Sequence, residues 1–317
     1  MPLHMVVPDL GQEILERLRT TAPEIDFLVA KNKDEALALA PLADAVYTFC
    51  TPEFLFAAPN LKWVQATSAG VERYPFKELK QRNIVFTNAS AIYGSHLADH
   101  LMAFILAFSR QLPFLLKAQQ NRIWEKRTNY PSGELTGQTL LIDGLGGTGE
   151  HLSRRAAGFD MRVIATRRRP DQPRPDTVEA VYPHDCLHDL LPQADWVAVC
   201  VPLTPETRNR YHDREFELMK SSAYILNIAR GGIINTNALM KALDNNQITG
   251  AGLDVTDPEP LPSDHPLWVY SNVIITPHAS GHSPHSNTRM IDLLCDNVSR
   301  FVHGESLLNI VDLNLQY

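Results

Sequence analysis

The sequence has 317 residues, of which 44% are hydrophobic and 21% charged, and its formal net charge is −7. This length favours two domains of an ordinary globular protein, and the negative charge disfavours binding to nucleic acid or to an anionic membrane surface. No apolar run reaches about 18 residues, no signal sequence is recognisable, and the four cysteines form no C-x-x-C pair, so we expect a cytoplasmic protein with reduced thiols.

The first hundred residues alternate between short apolar runs and helical or loop segments. The runs lie at 3–7, 25–29, 45–49, 61–66 and 84–87. Such alternation predicts a parallel sheet with helices on both faces. The fourth run ends in the small-residue loop Ser68 to Val71, at the carboxyl end of a predicted strand, where α/β sheets bind ligands. An anion held by backbone N–H groups and a plain turn both remain possible for this loop.

Two long apolar-periodic segments predict helices that connect the domains. The segment 93–117 predicts one helix leaving the first domain, and Pro113 is expected to kink or end it. The segment 284–301 predicts a helix that returns to the first domain. We therefore expect a discontinuous substrate-binding domain formed by 1–100 and 286–317, and a dinucleotide-binding Rossmann domain formed by 101–285.

The segment 139–170 has the pattern of a dinucleotide-binding strand, turn, helix and strand. A G-x-G-x-x-G turn, formed by Gly144, Gly146 and Gly149, lies between two apolar runs. Gly144 would allow the tight turn, Gly146 the approach of a pyrophosphate, and Gly149 the packing of the helix on the strand. The N–H groups at the start of that helix would face the phosphates.

The residues after the second of these strands bear on the choice of cofactor. An NAD site places Asp or Glu about 20 residues beyond the turn, to hold the ribose 2′-hydroxyl. This chain has Arg167, Arg168 and Arg169 there, and guanidinium groups suit a 2′-phosphate. We therefore expect NADP(H) to be preferred and NAD(H) to be possible, with a solvated basic strand end as the alternative.

Four later apolar runs, at 196–201, 223–228, 251–255 and 273–276, predict further strands. The loops after the last three of these runs each place one reactive group, namely Arg230, Glu259 and His278. The arginine could bind a substrate carboxylate with two hydrogen bonds, and the histidine could protonate a carbonyl oxygen as hydride arrives. The glutamate could orient the histidine ring and favour its charged form. Together the three groups suit the reduction of a 2-oxo acid.

The chain resembles the D-isomer-specific 2-hydroxyacid dehydrogenases, and among them the glyoxylate/hydroxypyruvate reductase-like members. The resemblance rests on motifs in the family's order along nearly the whole chain, namely SAGV, GLGGTG, VPLTPET, NIARGG, GLDVTDPEP and TPH. It implies an α/β fold of two Rossmann-like or flavodoxin-like domains with parallel sheets and the active site in the interdomain cleft. It also implies a homodimer that reduces a small 2-oxo acid to the D-2-hydroxy acid.

Matching positions imply roles for single residues. Arg230, Glu259 and His278 correspond to the family's catalytic arginine, glutamate and histidine. The loop whose backbone meets the substrate carboxylate corresponds to Ala69, Gly70 and Val71. Cofactor contacts are implied for Gly144, Gly146, Gly147, Thr148, Gly149, Arg167, Arg168, Pro202, Thr207, Ala229 and Asp254, the last facing the nicotinamide carboxamide.

Some positions depart from the family pattern. Asp143 stands where the family generally has an apolar residue, and Glu150 adds a second carboxylate at the turn. Both could weaken pyrophosphate binding unless they point away or pair with an arginine such as Arg154. Thr148 replaces a commonly aliphatic residue and could donate a hydrogen bond to a phosphate. Glu259 argues against the formate dehydrogenase branch, which has Gln in that role.

Two other functions stay open at this point. His278, His282 and His285 have a spacing that could suit a transition metal, but Gly281 and Pro284 disfavour a regular helix through them, so we expect no metal site. A dinucleotide-sensing binding module, such as the transcriptional corepressors that share this fold, could keep the same residues because a fold does not fix a function.

Overall fold

The computed structural model describes residues 2–316. The strands are β1 (Leu3–Pro8), β2 (Ile25–Ala30), β3 (Ala45–Tyr47), β4 (Trp63–Gln65), β5 (Val85–Thr87), β6 (Thr139–Asp143), β7 (Arg162–Arg167), β8 (Ala180–Pro183), β9 (Trp196–Val199), β10 (Tyr224–Asn227), β11 (Gly250–Leu253) and β12 (Val273–Ile275). The α-helices are α1 (Gln12–Thr21), α2 (Lys33–Leu39), α3 (Pro52–Ala57), α4 (Phe76–Gln81), α5 (Ser90–Ser109), α6 (Leu112–Gln120), α7 (Gly147–Ala157), α8 (Leu187–Leu190), α9 (Asp213–Leu218), α10 (Thr236–Asp244) and α11 (Ser286–His303).

The chain forms two compact units. One comprises the chain up to Tyr93 together with the chain from Ser283 onward, and the other comprises Gly94–His282. The expectation of two α/β domains with parallel sheets is confirmed. The assignment of substrate binding to one unit and dinucleotide binding to the other stays a prediction.

The first unit is built on a five-stranded parallel sheet with the order β2-β1-β3-β4-β5. This is the flavodoxin-like order. Successive residues of β1 enter different cores: Met5 packs in the core that contains Leu294 of α11, and Val6 packs in the core that contains Phe54 of α3. Both faces of the strand are therefore buried, which explains its continuous apolar run.

The second unit is built on a seven-stranded parallel sheet with the order β12-β11-β10-β9-β6-β7-β8. This extends the Rossmann order, and its switch point lies between β6 and β9. The sequence predicts six of these strands and misses β8, a short strand whose side chains are only partly buried. Ligands of such sheets bind at the carboxyl ends of the strands beside the switch point.

The segment expected to form one helix forms two. After α5 ends at Ser109, Gln111 adopts a left-handed backbone conformation with φ of 54°, and Pro113 lies in the first turn of α6. Proline is tolerated in a first turn because the N–H group it lacks would have no helical partner there. Among residues 2–316 no single helix is long and apolar enough to cross a membrane; Ile92–Ser109 and α6 meet that test only as a pair, bent by 68°.

Candidate active site

The turn after β6 lies at the switch point of the second sheet. Gly144 has a φ of 107°, and a Cβ atom there would lie 2.9 Å from the backbone of Cys200, which follows β9. A Cβ on Gly149 would lie 2.8 Å from the carbonyl oxygen of Gly144 and 3.0 Å from Ile142. Two of the three motif glycines therefore permit close packing of the turn.

Gly146, the middle glycine of the motif, faces open space. No atom of residues 2–316 lies within 4 Å of a Cβ built on Gly146, which precedes the first residue of α7. No side chain caps this helix end, so its first N–H groups have no capping acceptor in the described residues. An uncapped helix start beside open space is the arrangement that binds the phosphates of a dinucleotide. The turn, which includes Gly147 and Thr148 in the first turn of α7, therefore fits such a cofactor.

Asp143, the last residue of β6, is fully buried and carries a network of four hydrogen bonds. Arg210 donates to both of its carboxylate oxygens at 2.8 and 3.1 Å, Tyr211 donates at 3.0 Å, and Thr166 donates at 2.7 Å. The Thr166 hydroxyl also accepts from the Gly144 N–H at 3.2 Å. The carboxylate thus pairs with an arginine inside the protein and supports the turn from behind.

Glu150, the second unexpected carboxylate at the turn, lies in the first turn of α7. Its carboxylate lies 3.8 Å from the guanidinium of Arg154, one helical turn later, and both side chains are exposed. A negative side chain near a helix start is favourable to the helix itself. The turn therefore gains no unpaired carboxylate from either Asp143 or Glu150.

The arginines at the end of β7 differ in their partners. Arg167 donates from Nη1 to the Pro173 carbonyl oxygen at 3.2 Å, and its Nε and Nη2 are buried without a hydrogen-bond partner among residues 2–316. Arg168 forms an ion pair with Glu206, with 2.7 Å between Nη2 and Oε2. A buried donor without an acceptor is costly, so the Arg167 guanidinium is suited to an acceptor supplied by a ligand.

The loop after β9 is tied to itself by a threonine. The Thr207 hydroxyl donates to the Pro202 carbonyl oxygen at 2.6 Å and accepts from the Thr204 N–H at 2.8 Å. Pro202 is exposed, whereas Thr207 is buried. The hydroxyl of Thr207 therefore shapes the loop, and a cofactor contact by either residue stays a prediction.

Arg230 follows β10 in a loop whose backbone is held by Asn227. The Asn227 side chain accepts from the Ala229 N–H at 3.0 Å and donates to the Arg230 carbonyl oxygen at 2.9 Å. A Cβ on Gly231 would lie 1.9 Å from the Thr256 carbonyl oxygen, so only glycine lets the loops after β10 and β11 lie this close. The sequence signal for this packing is the pair of glycines after the arginine.

His278 and Glu259 form a hydrogen-bonded pair, with 2.7 Å between Nδ1 and Oε1. Because a carboxylate only accepts, the ring donates a proton from Nδ1 in this contact, and Nε2 takes no part in it. His278 has a φ of 52°, and its N–H donates to the Asp254 carbonyl oxygen at 2.8 Å. The two predicted side chains are thus brought together in hydrogen-bond contact.

Asp254, expected to face a nicotinamide carboxamide, holds the loop that carries His278. Its buried carboxylate accepts from the Thr276 hydroxyl at 2.6 Å, from the Ala279 N–H at 2.8 Å and from the Ser280 N–H at 3.0 Å. All three bonds come from the chain's own loop, and the expected contact with a nicotinamide carboxamide stays a prediction. The observed role of Asp254 is to fix the loop.

His100 of α5 is a residue that sequence reasoning missed. Its Nε2 lies 2.9 Å from the Thr276 hydroxyl, which has already donated its only proton to Asp254. The histidine must therefore donate from Nε2. The periodicity of the segment showed only a helix with an apolar face, and nothing in it linked His100 to a strand 176 residues later.

The loop of Ala69, Gly70 and Val71 follows β4 in the first unit. The Asn88 side chain donates to the Ala69 carbonyl oxygen at 2.8 Å, and Ser68 donates to the Gly70 carbonyl oxygen at 2.7 Å. Val71 is buried in the core. The side chains therefore serve packing, and the expected binding of a carboxylate by the loop's backbone stays a prediction.

Among residues 2–316, no group of three or more His, Cys, Asp or Glu side chains is arranged to hold a metal ion. The three histidines from His278 to His285 do not come together as a ligand set. His278 instead uses its ring nitrogen for Glu259.

Comparison with known proteins agrees with this geometry. Residues 102–280 match the family model for the NAD-binding domain of the D-isomer-specific 2-hydroxyacid dehydrogenases. A glyoxylate reductase from Thermofilum pendens is 32% identical over 95% of this chain and 90% of its own length. A crystal structure of a family protein from Aeromonas salmonicida is 30% identical, with a TM-score of 0.82, and covers 98% of this chain and 99% of its own.

A second solved structure, from Xanthobacter autotrophicus, carries a cofactor. This D-isomer-specific 2-hydroxyacid dehydrogenase, determined in complex with NADPH and MES, is 25% identical, has a TM-score of 0.85 and covers all of both chains. The family model spans more than half of the present chain, and the relatives match it over nearly its full length. The protein described here therefore belongs to the D-isomer-specific 2-hydroxyacid dehydrogenases, a family of NAD(P)-dependent oxidoreductases.

Proposed function

We propose that this protein reduces a small 2-oxo acid of the glyoxylate or hydroxypyruvate type to the D-2-hydroxy acid, and that it prefers NADPH to NADH. The observation that carries the proposal is the 2.7 Å hydrogen bond between His278 and Glu259 in the unit that also bears the glycine turn. The names of the relatives, several of which are glyoxylate reductases, support the substrate class.

The proposed chemistry divides between three side chains. A bound nicotinamide cofactor supplies the hydride. Arg230 binds the substrate carboxylate, because a guanidinium can offer two parallel N–H donors to it. His278 delivers a proton from Nε2 to the carbonyl oxygen, and Glu259 holds the opposite edge of the ring and stabilises the imidazolium. Reduction at the carbonyl therefore leaves a hydroxyl group beside the carboxylate.

The cofactor preference rests on the end of β7. Arg167 has two buried donors without a partner among the described residues, Arg168 follows it in the sequence, and the residues that end β7 include no Asp or Glu of their own. A 2′-phosphate would satisfy those donors with charge-assisted hydrogen bonds. The complex of the Xanthobacter protein with NADPH supports the same choice.

A homodimer is also part of the proposal. Apolar side chains on α6 and the loop after it are exposed to solvent: Leu112, Phe114, Leu116, Ile123 and Trp124. The aromatic rings of Phe114 and Tyr130 lie 5.8 Å apart. This many exposed apolar side chains within one segment favour association, and a second copy of the chain is the occupant that the family resemblance indicates.

A rate panel tests the reaction. Glyoxylate, hydroxypyruvate, pyruvate and a bulky aromatic 2-oxo acid would each be offered with NADPH and with NADH. We expect turnover of the small acids, faster with NADPH. A protein that binds a cofactor tightly but consumes none would contradict the proposal and favour a dinucleotide-sensing module.

A substitution tests the role of His278. We expect His278→Ala to lower kcat by about 100- to 10,000-fold, the usual contribution of a general acid, while the dissociation constant for NADPH stays the same. His282→Ala is the matched control, since that exposed histidine lies four residues later. Wild-type turnover in His278→Ala would exclude the proton-donor role.

A further inference from the structure

The strand end that carries the arginines is in contact with the loop after β9. Arg168 Nη2 lies 2.7 Å from Glu206 Oε2, although the two residues are 38 positions apart. The Arg168 side chain is 28% exposed and that of Glu206 is 67% exposed. The carboxylate therefore reaches in from solvent to a guanidinium that is mostly covered.

The position of Glu206 is fixed by its neighbours. It stands between Thr204 and Thr207, whose side chains and backbone bond to one another and to the Pro202 carbonyl oxygen. These bonds hold the backbone on either side of Glu206, which lowers the entropic cost of keeping its carboxylate at the strand end. The carboxylate itself is held by its contact with Arg168.

Arg167 and Arg168 differ in whether their donors are already bound to an acceptor. Arg167 has buried donors that lack an acceptor in residues 2–316, whereas the Nη2 donor of Arg168 is already engaged by a carboxylate. A phosphate dianion that bound to both would have to displace Glu206 and would be repelled by it. A ligand that ends in a neutral hydroxyl group would leave the ion pair intact.

We propose that Glu206 is a specificity-determining residue that lowers the preference for NADPH over NADH by competing with the 2′-phosphate for Arg168. This inference rests on the proposed function, in which the end of β7 receives the 2′-position of the cofactor. NADPH must break the ion pair between Arg168 and Glu206 before its 2′-phosphate can bind to Arg168. NADH binds without breaking this ion pair, so Glu206 lets the site accept both cofactors. Removing the carboxylate charge shifts the balance toward NADPH.

The test measures cofactor binding without turnover. Dissociation constants for NADPH and NADH would be determined from the fluorescence of the bound nicotinamide, for the wild type, Glu206→Gln, Arg168→Gln and the double variant. We expect Glu206→Gln to bind NADPH about three- to tenfold more tightly than the wild type does and to bind NADH with the same dissociation constant, because only NADPH carries the 2′-phosphate. We expect Glu206→Gln to have no effect once Arg168 is Gln, since the two residues act through one contact.

Two controls separate this effect from a general change of charge. Glu179→Gln removes another exposed carboxylate, one that accepts hydrogen bonds from Nε and Nη2 of Arg162 at the opposite end of β7, and we expect it to leave both dissociation constants unchanged. Competition with 2′,5′-ADP and with 5′-AMP, which differ by the 2′-phosphate alone, tests the binding of that phosphate without the nicotinamide. The gain of Glu206→Gln should appear with 2′,5′-ADP alone and shrink at high salt.

The outcomes distinguish the inference from the proposed function. If Arg168→Gln and Arg167→Gln both leave the ratio of the NADPH and NADH constants unchanged, the arginines do not bind the phosphate and the cofactor assignment fails. If those variants change the ratio but Glu206→Gln does not, the assignment stands and the role of Glu206 is overturned. Weaker NADPH binding by Glu206→Gln would also overturn it, since the carboxylate would then support the site.

Discussion

At the scale of single residues, the buried carboxylate of Asp143 stands where the family resemblance implies an apolar side chain. It meets Arg210, which is itself 12% exposed, through two hydrogen bonds, and it accepts further bonds from Tyr211 and Thr166. A buried ion pair gains little over an apolar pair of the same shape, but the loss of one partner leaves the other charge uncompensated. Asp143 therefore stabilises the fold only together with Arg210.

Asp143→Asn should expose this dependence. The change keeps the shape of the side chain and removes its charge, so the guanidinium of Arg210 stays buried without a counterion. We expect the free energy of unfolding to fall by about 3–5 kcal/mol, measured by urea denaturation. Glu150→Gln, which removes the exposed partner of Arg154, is the control and should leave the unfolding curve in place. Equal stability of Asp143→Asn and wild type would show that the network relaxes around the loss.

Tyr211 predicts how the stability responds to alkaline pH. Burial raises the pKa of its hydroxyl well above the usual value of 10, and the negative charge of Asp143 adds to the shift. Above pH 10 the unfolded chain loses this proton and the native protein keeps it. The unfolded state then binds fewer protons, so the free energy of unfolding falls by about 1.4 kcal/mol per pH unit for this group. Burial, and secondarily Asp143, also raise the pKa of Cys200 to about 12, which acts in the same direction.

The variant Tyr211→Phe isolates that contribution. It loses one hydrogen bond to Asp143, so near neutral pH we expect it to be less stable than wild type by about 1 kcal/mol. Above pH 10 the wild type should lose stability faster and the gap should close. Denaturation curves of both proteins across the alkaline range provide the measurement. A constant gap at every pH would mean that Tyr211 ionises in the native protein as easily as in the unfolded chain.

The residue scale also shows what sequence could and could not supply. The order of motifs led to His278 and Glu259 as a pair, and the structure joins them at 2.7 Å. The partner of Asp143 could not be found in the same way, because Arg210 is 67 residues away and belongs to no recognised motif. A local pattern reports spacing along the chain, whereas a buried charge finds its partner through the fold.

At the scale of elements, glycines decide how closely the strand-end loops approach one another. Gly231 and Gly146 have opposite surroundings. A Cβ on Gly231 would overlap the Thr256 carbonyl oxygen, whereas a Cβ on Gly146 would have no atom of the described residues within 4 Å. The first glycine therefore serves the packing of protein against protein. The second leaves room that, under the proposed function, a pyrophosphate uses.

Paired alanine substitutions separate these two uses. Gly231→Ala must push apart the loops that carry Arg230 and Glu259, so we expect it to lower the free energy of unfolding by about 1–3 kcal/mol and to lower kcat/KM. Gly146→Ala should unfold like the wild type and bind NADPH more weakly. Urea denaturation and cofactor titration measure the two effects. The interpretation fails if Gly231→Ala is as stable as the wild type, or if Gly146→Ala costs more stability than Gly231→Ala.

Elements were predictable where their pattern was strong. All five strands of the first sheet and six of the seven in the second sheet coincide with apolar runs, because most of the side chains in these strands are buried. β8 has partly exposed side chains and lacks that signal. The sequence predicts the interruption after α5 at Pro113. The left-handed residue there is Gln111, and a glutamine side chain gives no sequence signal for that conformation.

At the scale of the whole molecule, the alternation of strands and helices predicted two parallel sheets, and both their strand orders follow from known α/β connections. The association of two copies of the chain is the property that is hardest to predict from a single sequence. The feature of this chain that indicates association is the set of exposed apolar side chains on α6 and the following loop, where Trp124 is 98% exposed and Leu116 is 54% exposed. Isolated exposed apolar residues are common, but a set of five along one segment is typical of an interface.

Negative charges introduced on that apolar surface should dissociate the proposed dimer. A stable interface buries about 1,600 Å² and depends on a few central aromatic and aliphatic anchors, so two charges placed among them leave buried carboxylates without partners. We expect Leu116→Glu combined with Trp124→Glu to halve the molar mass measured by light scattering at micromolar concentration. Phe56→Glu, which changes a 93% exposed aromatic residue on α3, is the matched control and should leave the mass unchanged. A wild type that is already monomeric would remove the dimer from the proposal, and an undissociated double variant would move the interface to another surface of the chain.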